Sequence, residues 1–168
     1  MNRLNHIAVV MDGNRRWARK NGFLEKLGYS QGVKTIETLM RACVEEKISN
    51  LSLFAFSTEN WARPKDEVEF IFHLFEKVLD ESLHLFVENN IRFRAIGDLS
   101  RLDERLREKL QNAENLTKNC TLLCVNVAIS YGAKDEIVRA VQKAIAQGLK
   151  INEANISANL DLPLDVDL

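Results

Sequence analysis

Short apolar runs alternate with amphipathic segments along the chain, and this alternation limits the possible folds more than any other feature. Four runs have the pattern of strands: 7–11, which reads as buried on both faces, and 51–56, 91–96 and 122–129. Apolar residues at helical spacing occupy about 30–46, 66–89, 100–118 and 134–146. The alternation predicts an α/β fold, with a mostly parallel central sheet flanked by helices, as a single domain over residues 1–168.

The composition is typical of a globular protein and leaves any cationic function to local clusters. The net charge is −1, from 23 basic and 24 acidic residues, so we expect no nucleic-acid partner. The densest basic cluster is residues 15–20. The three cysteines form no paired framework, and no apolar run is long enough for a signal peptide or a membrane span. We therefore expect a cytoplasmic protein with at most peripheral membrane contact.

Unusual polar residues follow the first predicted strand, at the sheet edge where parallel sheets bind ligands. Asp12 is followed by Gly13, Asn14, Arg15 and Arg16. A carboxylate suits Mg²⁺ shared with substrate phosphates, a glycine lets the backbone approach an anion, and arginine offers a planar fork for phosphate oxygens. The pattern favours phosphate chemistry, and the alternative is a helix cap followed by solvated arginines, Arg19 among them.

A second polar segment, "FSTENWARP", follows the second predicted strand. Ser57 and Asn60 can hydrogen-bond an oxyanion or a water, Arg63 adds positive charge, and Trp61 offers an apolar wall. The alternative is a capped turn before the next helix, with Trp61 as a hydrophobic staple. Because both segments fall at the same predicted edge, a substrate site is favoured.

The predicted helix over 66–89 is apolar on an arc too wide for one ordinary buried stripe. Such a helix is either packed between the sheet and a partner subunit, or it lines an apolar cavity. At roughly 1.5 Å per residue it is more than ~30 Å long, enough to run beside an extended hydrocarbon chain. For a helix considered alone, core or interface is the simpler interpretation.

Two blocks of the sequence resemble signatures of the cis-prenyltransferase family, specifically the undecaprenyl diphosphate synthases: "HIAVVMDGNRRWA" and "LFAFSTENWARP". Two further blocks match the family in the same order, "RFRAIGDLSRL" and "ISYGAKDEI". The resemblance implies Mg²⁺-dependent, Z-specific condensation of isopentenyl diphosphate onto farnesyl diphosphate. Repetition gives a long polyprenyl diphosphate, the lipid-carrier precursor for cell-wall synthesis. It also implies a homodimer and an apolar tunnel along the long helix.

The resemblance assigns roles to individual positions. Asp12 matches the residue that coordinates Mg²⁺ and assists departure of the diphosphate, and Asn60 matches a proposed proton-handling position. The positions that match substrate-binding residues are Gly13, Asn14, Arg15, Arg16, Trp17, Tyr29, Ser57, Thr58, Glu59, Trp61 and Arg63.

Several positions depart from the common family pattern. Arg15 stands where many members have glycine, while Glu25 and Tyr29 occupy positions that are usually arginine and histidine. The diphosphate loses a cation at position 25, and Tyr29 can donate only a neutral hydrogen bond. Our hypothesis is that Arg15 restores the lost charge. Ser130 also replaces a frequent asparagine.

The family pattern continues beyond Leu168 with residues that bind isopentenyl diphosphate, a metal-binding glutamate and part of the dimer interface. We therefore expect a chain that is C-terminally incomplete relative to the family. Two alternative functions stay open. One is a non-catalytic partner subunit of a prenyltransferase. The other is an Asp-nucleophile phosphohydrolase, which would need a second acid at position 14, where asparagine stands.

Overall fold

Four strands form a parallel sheet at the centre of the computed structural model, which describes residues 4–168. The strands are β1 (His6–Val10), β2 (Asn50–Ser57), β3 (Ile91–Ile96) and β4 (Leu123–Tyr131). Their order across the sheet is β1-β2-β4-β3, and every neighbouring pair is parallel. The predicted α/β fold with a parallel sheet is confirmed.

Six α-helices lie in the described part of the chain. They are α1 (Asn14–Lys20), α2 (Glu25–Glu45), α3 (Lys65–Glu88), α4 (Glu104–Thr117), α5 (Ala133–Ala146) and α6 (Glu153–Ala158). The apolar pattern did not predict α1 and α6, because helices of seven and six residues hold too few turns for a recognisable apolar period. The helix-cap alternative for the segment after Asp12 did include a helix there, and α1 occupies that place. No helix within residues 4–168 has both the length and the apolar character needed to cross a bilayer.

One face of the sheet carries the apolar core. Alternate residues such as Leu53, Phe93 and Val125 are buried on this face, against side chains of α2, α3 and α4. This follows from the two-residue period of a strand, which sends every second side chain to the same side. The space between this face and the helices is where the cavity described below lies.

The prediction that the first strand is buried on both faces is wrong. The side chain of Val10 is 69% exposed, and Ala8 is exposed as well. Along one edge β1 pairs with β2, and along its other edge it hydrogen-bonds to the backbone of residues 167–168. The Asp167 N–H donates to the His6 carbonyl at 3.0 Å, and the Ala8 N–H donates to the Leu168 carbonyl at 2.7 Å. A five-residue apolar run does not distinguish a central strand from a peripheral one.

Two glycines of α2 hold α1 against it and thereby place the loop after β1. A Cβ at Gly28 would lie 2.1 Å from the carbonyl oxygen of Asn14, and a Cβ at Gly32 would lie 2.9 Å from its Oδ1. Only glycine permits so close an approach. At the other end of the loop, Gly13 has a left-handed φ of 88° and precedes the first residue of α1. This geometry keeps residues 12–16 over the carboxyl end of the sheet.

Candidate active site

A cavity of about 600 Å³ opens at the carboxyl ends of β1 and β2 and extends between the sheet and helices α2 and α3. Its interior is lined mainly by apolar side chains. Those contributed by α3 are Ile71, Leu74, Phe75, Val78, Leu79, Leu83 and Phe86. These residues span some 22 Å of helix at about 1.5 Å per residue, so a large part of the wide apolar arc of α3 faces the cavity.

The opening of the cavity, which we call the mouth, is polar and gathers most of the predicted site residues. Nine of them line the cavity: Asp12, Gly13, Asn14, Arg15, Arg16, Tyr29, Ser57, Asn60 and Arg63. They come from the loop after β1, from α1 and α2, and from the segment after β2. Arg19, expected to be a solvated helix charge, lines the cavity too.

Asp12 presents an accessible carboxylate at the mouth. Its Oδ1 accepts the Gly13 N–H at 2.6 Å, and its Oδ2 accepts from Nη2 of Arg16 at 2.8 Å. The side chain is 74% exposed. No group of three or more histidine, cysteine or acidic side chains within residues 4–168 could hold a metal alone. An exposed single carboxylate fits a Mg²⁺ ion that takes its other ligands from substrate phosphates and water.

Sequence reasoning missed Glu67, which joins three polar side chains of the mouth. Its Oε1 accepts from the Tyr29 hydroxyl at 2.7 Å and from Nη1 of Arg63 at 3.1 Å, and its Oε2 lies 3.3 Å from Nη1 of Arg15. The Glu67 side chain is only 14% exposed. Its one sequence signal was its position four residues after Arg63.

Tyr29 lies between a donor and an acceptor. Nη1 of Arg63 donates to its hydroxyl oxygen at 2.9 Å, while the hydroxyl donates onward to Glu67. Burial, reinforced by the hydrogen bond to Glu67, raises the pKa of Tyr29 to about 12. The phenol is therefore neutral throughout the physiological range, and its hydrogen is donated to Glu67. Donation to the diphosphate, as expected for this position from the sequence, stays a prediction.

Glu25 shares its carboxylate between two arginines. Nε of Arg15 donates to its Oε2 at 2.7 Å, and Nε of Arg19 donates to its Oε1 at 2.6 Å. The hydrogen bonds from Arg19 and Arg15 lower the pKa of the Glu25 carboxyl. The hydrogen bond to Glu25 in turn raises the pKa of Arg15. The two unusual residues at positions 15 and 25 are thus partners, and Arg15 offsets the charge of Glu25 directly.

The mouth retains a positive balance. Four arginines (15, 16, 19 and 63) face three carboxylates (12, 25 and 67), which leaves one net positive charge. Each guanidinium has five N–H donors, so these ion pairs do not exhaust its capacity for an anion. The mouth can therefore accept a phosphate group while its own pairs hold the arginines in place.

Ser57 and Asn60 are both a cap and part of the cavity lining. Ser57 Oγ accepts from the Asn60 N–H at 3.3 Å, and Asn60 Oδ1 accepts from the Ser57 N–H at 3.1 Å. This reciprocal pair caps the 3₁₀ helix Thr58–Ala62. The capped-turn alternative is therefore present in the structure, and it fixes the Asn60 carboxamide at the mouth.

The remaining four predicted residues lie outside the cavity lining. Trp61 donates its indole N–H to Ser130 Oγ at 3.0 Å and packs against Phe56 and Phe72, with ring centroids 5.4 and 5.2 Å away. Trp61 thus packs in the core next to the cavity rather than in its lining. Glu59 is exposed, and hydrogen bonding from its own backbone N–H, then from the neighbouring hydroxyls, lowers its pKa.

Thr58 and Trp17 also face away from the cavity. A Cβ on Gly132 would lie 2.6 Å from Thr58 Oγ1, so Thr58 is in close contact with the turn after β4. Trp17 is 42% exposed, and its ring lies 5.8 Å, between centroids, from that of Phe23 on the outside of the α1–α2 turn.

Comparisons with known proteins show the family of the chain. The family model for undecaprenyl diphosphate synthase matches residues 10–168. An isoprenyl transferase of Campylobacter jejuni (strain RM1221) is 66% identical over 168 residues, which is 100% of this chain and 76% of that protein. A ditrans,polycis-undecaprenyl-diphosphate synthase of Photorhabdus laumondii, named as specific for (2E,6E)-farnesyl diphosphate, is 42% identical over 88% of this chain and 58% of its own length.

Two solved structures share the fold. A probable undecaprenyl diphosphate synthase from Campylobacter jejuni superimposes with a TM-score of 0.86 at 57% identity, covering 99% of this chain and 74% of that one. Lavandulyl diphosphate synthase from Lavandula x intermedia, solved with dimethylallyl diphosphate, gives a TM-score of 0.88 at 30% identity, covering 94% and 71%. The chain belongs to the cis-prenyltransferase family, whose members are isoprenyl transferases and undecaprenyl diphosphate synthases.

Proposed function

We propose that this protein condenses isopentenyl diphosphate onto farnesyl diphosphate, with Z stereochemistry and Mg²⁺ dependence, to make a polyprenyl diphosphate of the undecaprenyl type for cell-wall synthesis. One observation carries the proposal: a cationic mouth opens directly into a long apolar cavity. A charged head beside a hydrocarbon tail is the chemistry of an allylic diphosphate. The farnesyl-specific relative and the dimethylallyl diphosphate complex support the same class of substrate.

The arginines and the Gly13 segment bind the diphosphate in this proposal. Arg15 and Arg16 are held by Glu25 and Asp12, so their planar forks are oriented before the substrate arrives. Preorganised cations of this kind stabilise charge that develops on the departing diphosphate, at little cost in reorganisation. Asp12 would hold Mg²⁺ together with the diphosphate oxygens, and the bound ion supplies further stabilisation of the leaving group.

The apolar cavity holds the prenyl chain. In the reaction, the allylic C–O bond breaks, the double bond of isopentenyl diphosphate attacks the allylic carbon, and a proton leaves the new chain. Val33 on α2 and Phe75 on α3 belong to a wall that keeps water from the electron-poor carbon. Each round moves the lengthened chain deeper between α3 and the sheet.

Asn60 is proposed to position the group that takes the proton. Its Oδ1 is engaged by the Ser57 N–H, so its NH₂ group is the part that can bond a substrate oxygen or a water. A carboxamide with an occupied oxygen is a donor rather than a base. In this proposal Asn60 therefore orients a diphosphate oxygen or a water molecule. That oxygen or water, rather than Asn60, accepts the proton.

The other two candidate functions fit the site less well. A phosphohydrolase with Asp12 as nucleophile needs a second acid, and Asn14 stands at that position, packed against Gly28 and Gly32. A non-catalytic subunit has no need for an exposed carboxylate beside an arginine. We also propose a homodimer and peripheral membrane contact, in line with the family resemblance.

The test is incorporation of radiolabelled isopentenyl diphosphate by the protein, with farnesyl diphosphate and Mg²⁺ present. We expect a polyprenyl product with new Z double bonds, and no product when Mg²⁺ is chelated. Phosphate release from small monophosphates without any prenyl substrate would instead support the phosphohydrolase. Absence of both activities would support the non-catalytic subunit.

A further inference from the structure

The turn between α1 and α2 carries a contiguous exposed apolar surface, which we call the hairpin patch. It consists of Trp17, Phe23, Leu24 and Leu27, with exposed fractions of 42, 49, 78 and 51%. The rings of Trp17 and Phe23 contact each other, and a shallow groove beside them reaches Lys34. Single exposed leucines are ordinary on protein surfaces, whereas adjacent aromatic and aliphatic residues mark an interaction surface.

The charge around the hairpin patch identifies the partner. Residues 14–34 contain six basic residues and one acid, Glu25, for a net charge of +5, and three of the six, the arginines at 15, 16 and 19, form ion pairs at the mouth. The whole chain has a net charge of −1, so the rest of it carries −6. Lys20 and Lys34 lie beside the patch on α1 and α2. Exposed aromatic and leucine side chains surrounded by basic residues are typical of a surface that binds anionic lipid.

The position of the patch also fits a membrane. The same two helices supply Arg15, Arg16 and Arg19 to the mouth, and Tyr29 and Val33 to the cavity wall. A bilayer in contact with the hairpin patch would therefore lie beside the opening of the cavity. A long hydrocarbon product could then enter lipid without crossing water, where each exposed CH₂ is unfavourable.

We propose that the hairpin patch docks the protein on an anionic phospholipid bilayer next to the cavity mouth. The part of this inference that concerns product release rests on the proposed function, while the docking itself rests on the surface alone. A second copy of this chain is the competing occupant. A twofold interface through the patch would bring the lysines around it, such as Lys20 and Lys34, towards their copies in the second chain, which opposes association.

Co-sedimentation with vesicles tests the proposal. The chain is mixed with vesicles of phosphatidylcholine alone, or of phosphatidylcholine with phosphatidylglycerol. We expect binding to the anionic vesicles only, weakened by salt, and lowered about tenfold or more by Leu24→Glu. Leu116→Glu on α4 is the matched control, because Leu116 is 55% exposed and outside the patch, and it should bind like the wild type.

Three further measurements make the outcome decisive. Circular dichroism and thermal melting establish that both glutamate variants are folded, and Phe23→Ser gives a second, uncharged test of the patch. Brominated lipids should quench tryptophan fluorescence in the wild type, and much less so after Trp17→Phe. Equal vesicle binding by Leu24→Glu, Leu116→Glu and wild type would overturn the proposal. So would a dimer in sedimentation velocity that Leu24→Glu abolishes, without vesicle binding.

The two proposals fail separately. Vesicle binding without any prenyl transfer would refute the proposed function and leave the docking surface standing. Prenyl transfer with no affinity for anionic vesicles would refute the docking surface alone.

Discussion

The mouth and the interior of the cavity are built on different principles. At the mouth, a few charged groups are fixed by pairwise contacts: Glu67 alone joins Arg15, Tyr29 and Arg63. In the interior, apolar side chains from three helices (α2, α3 and α4) and all four strands share the wall, and no single contact holds it. Loss of one mouth residue should therefore have a large, position-specific effect. Changes inside should act in proportion to the volume that they add.

The largest effect is expected at Asp12. Asp12→Ala removes the exposed carboxylate at the mouth and leaves the apolar core untouched. We expect condensation by the complete protein to fall by at least ~10²–10³, since a group that stabilises developing charge is lost. The comparison is Asp80→Ala on α3, an exposed aspartate paired with Lys109. Near-normal turnover of the Asp12 variant with Mg²⁺ present would remove Asp12 from the site.

The second-largest effect is expected from substitution of Glu67. Glu67→Gln keeps the size of the side chain and removes the charge that holds Arg15 and Arg63, so we expect farnesyl diphosphate to bind about tenfold more weakly. The substitution also replaces one acceptor oxygen of this nearly buried side chain by an NH₂ donor that faces arginine donors, which should lower the free energy of unfolding by ~1–3 kcal/mol. Glu69→Gln is the matched control, because Glu69 is exposed two residues away and pairs with Lys65. Calorimetry and chemical denaturation measure both effects, and indistinguishable variants would show that the network is incidental.

The pair at positions 15 and 25 allows a test of coupling. Glu25→Arg alone places a third guanidinium beside Arg15 and Arg19 and removes their shared acceptor. We expect this variant to bind farnesyl diphosphate severalfold more weakly or to lose stability. Adding Arg15→Gly restores the commoner family pattern and should recover much of the loss. Additive effects of the two changes would mean that Arg15 and Glu25 act independently.

Inside the cavity, the expected effect is on product length rather than on rate. Val33 lines the cavity, and Val33→Phe should shorten the product while sparing the first condensations, because the chain meets the added ring only as it grows. Val138→Phe is the control, since Val138 is 54% exposed on α5 and outside the cavity lining. Chain lengths are read by chromatography of the radiolabelled products. An unchanged distribution would mean that the chain follows another path.

The same contrast explains what could be predicted from the sequence. The motif residues Asp12, Arg16 and Ser57 follow apolar runs directly, so local pattern and family resemblance located them. The ion pair between Arg15 and Glu67 joins positions 52 residues apart, which no local pattern reports. Trp61 was predicted as a wall of the site. It lies behind that wall, because its indole N–H has a partner in Ser130 on the next strand.

For the interior of the cavity, the sequence predicted an apolar helix and left its role open between two alternatives. The apolar arc of α3 was compatible with an interface or a cavity, since both bury the same side chains. The structure shows a cavity between α3 and the sheet, and α2 is placed so that its Val33 and Met40 also line it. That placement depends on the close contact of Gly28 with Asn14, a tertiary feature.

The most direct test of the account is the affinity of this chain for farnesyl diphosphate and for inorganic pyrophosphate, measured by calorimetry in wild type and in Ala55→Trp. Ala55 lines the cavity, so the indole should fill space that the prenyl tail needs. Because burial of the tail adds to the diphosphate contacts, we expect wild type to bind farnesyl diphosphate at least ~100-fold more tightly than pyrophosphate. Ala55→Trp should abolish most of that difference and leave pyrophosphate affinity unchanged. Equal affinity for the two ligands in wild type, or an undiminished preference in Ala55→Trp, would contradict a diphosphate mouth leading into a prenyl cavity.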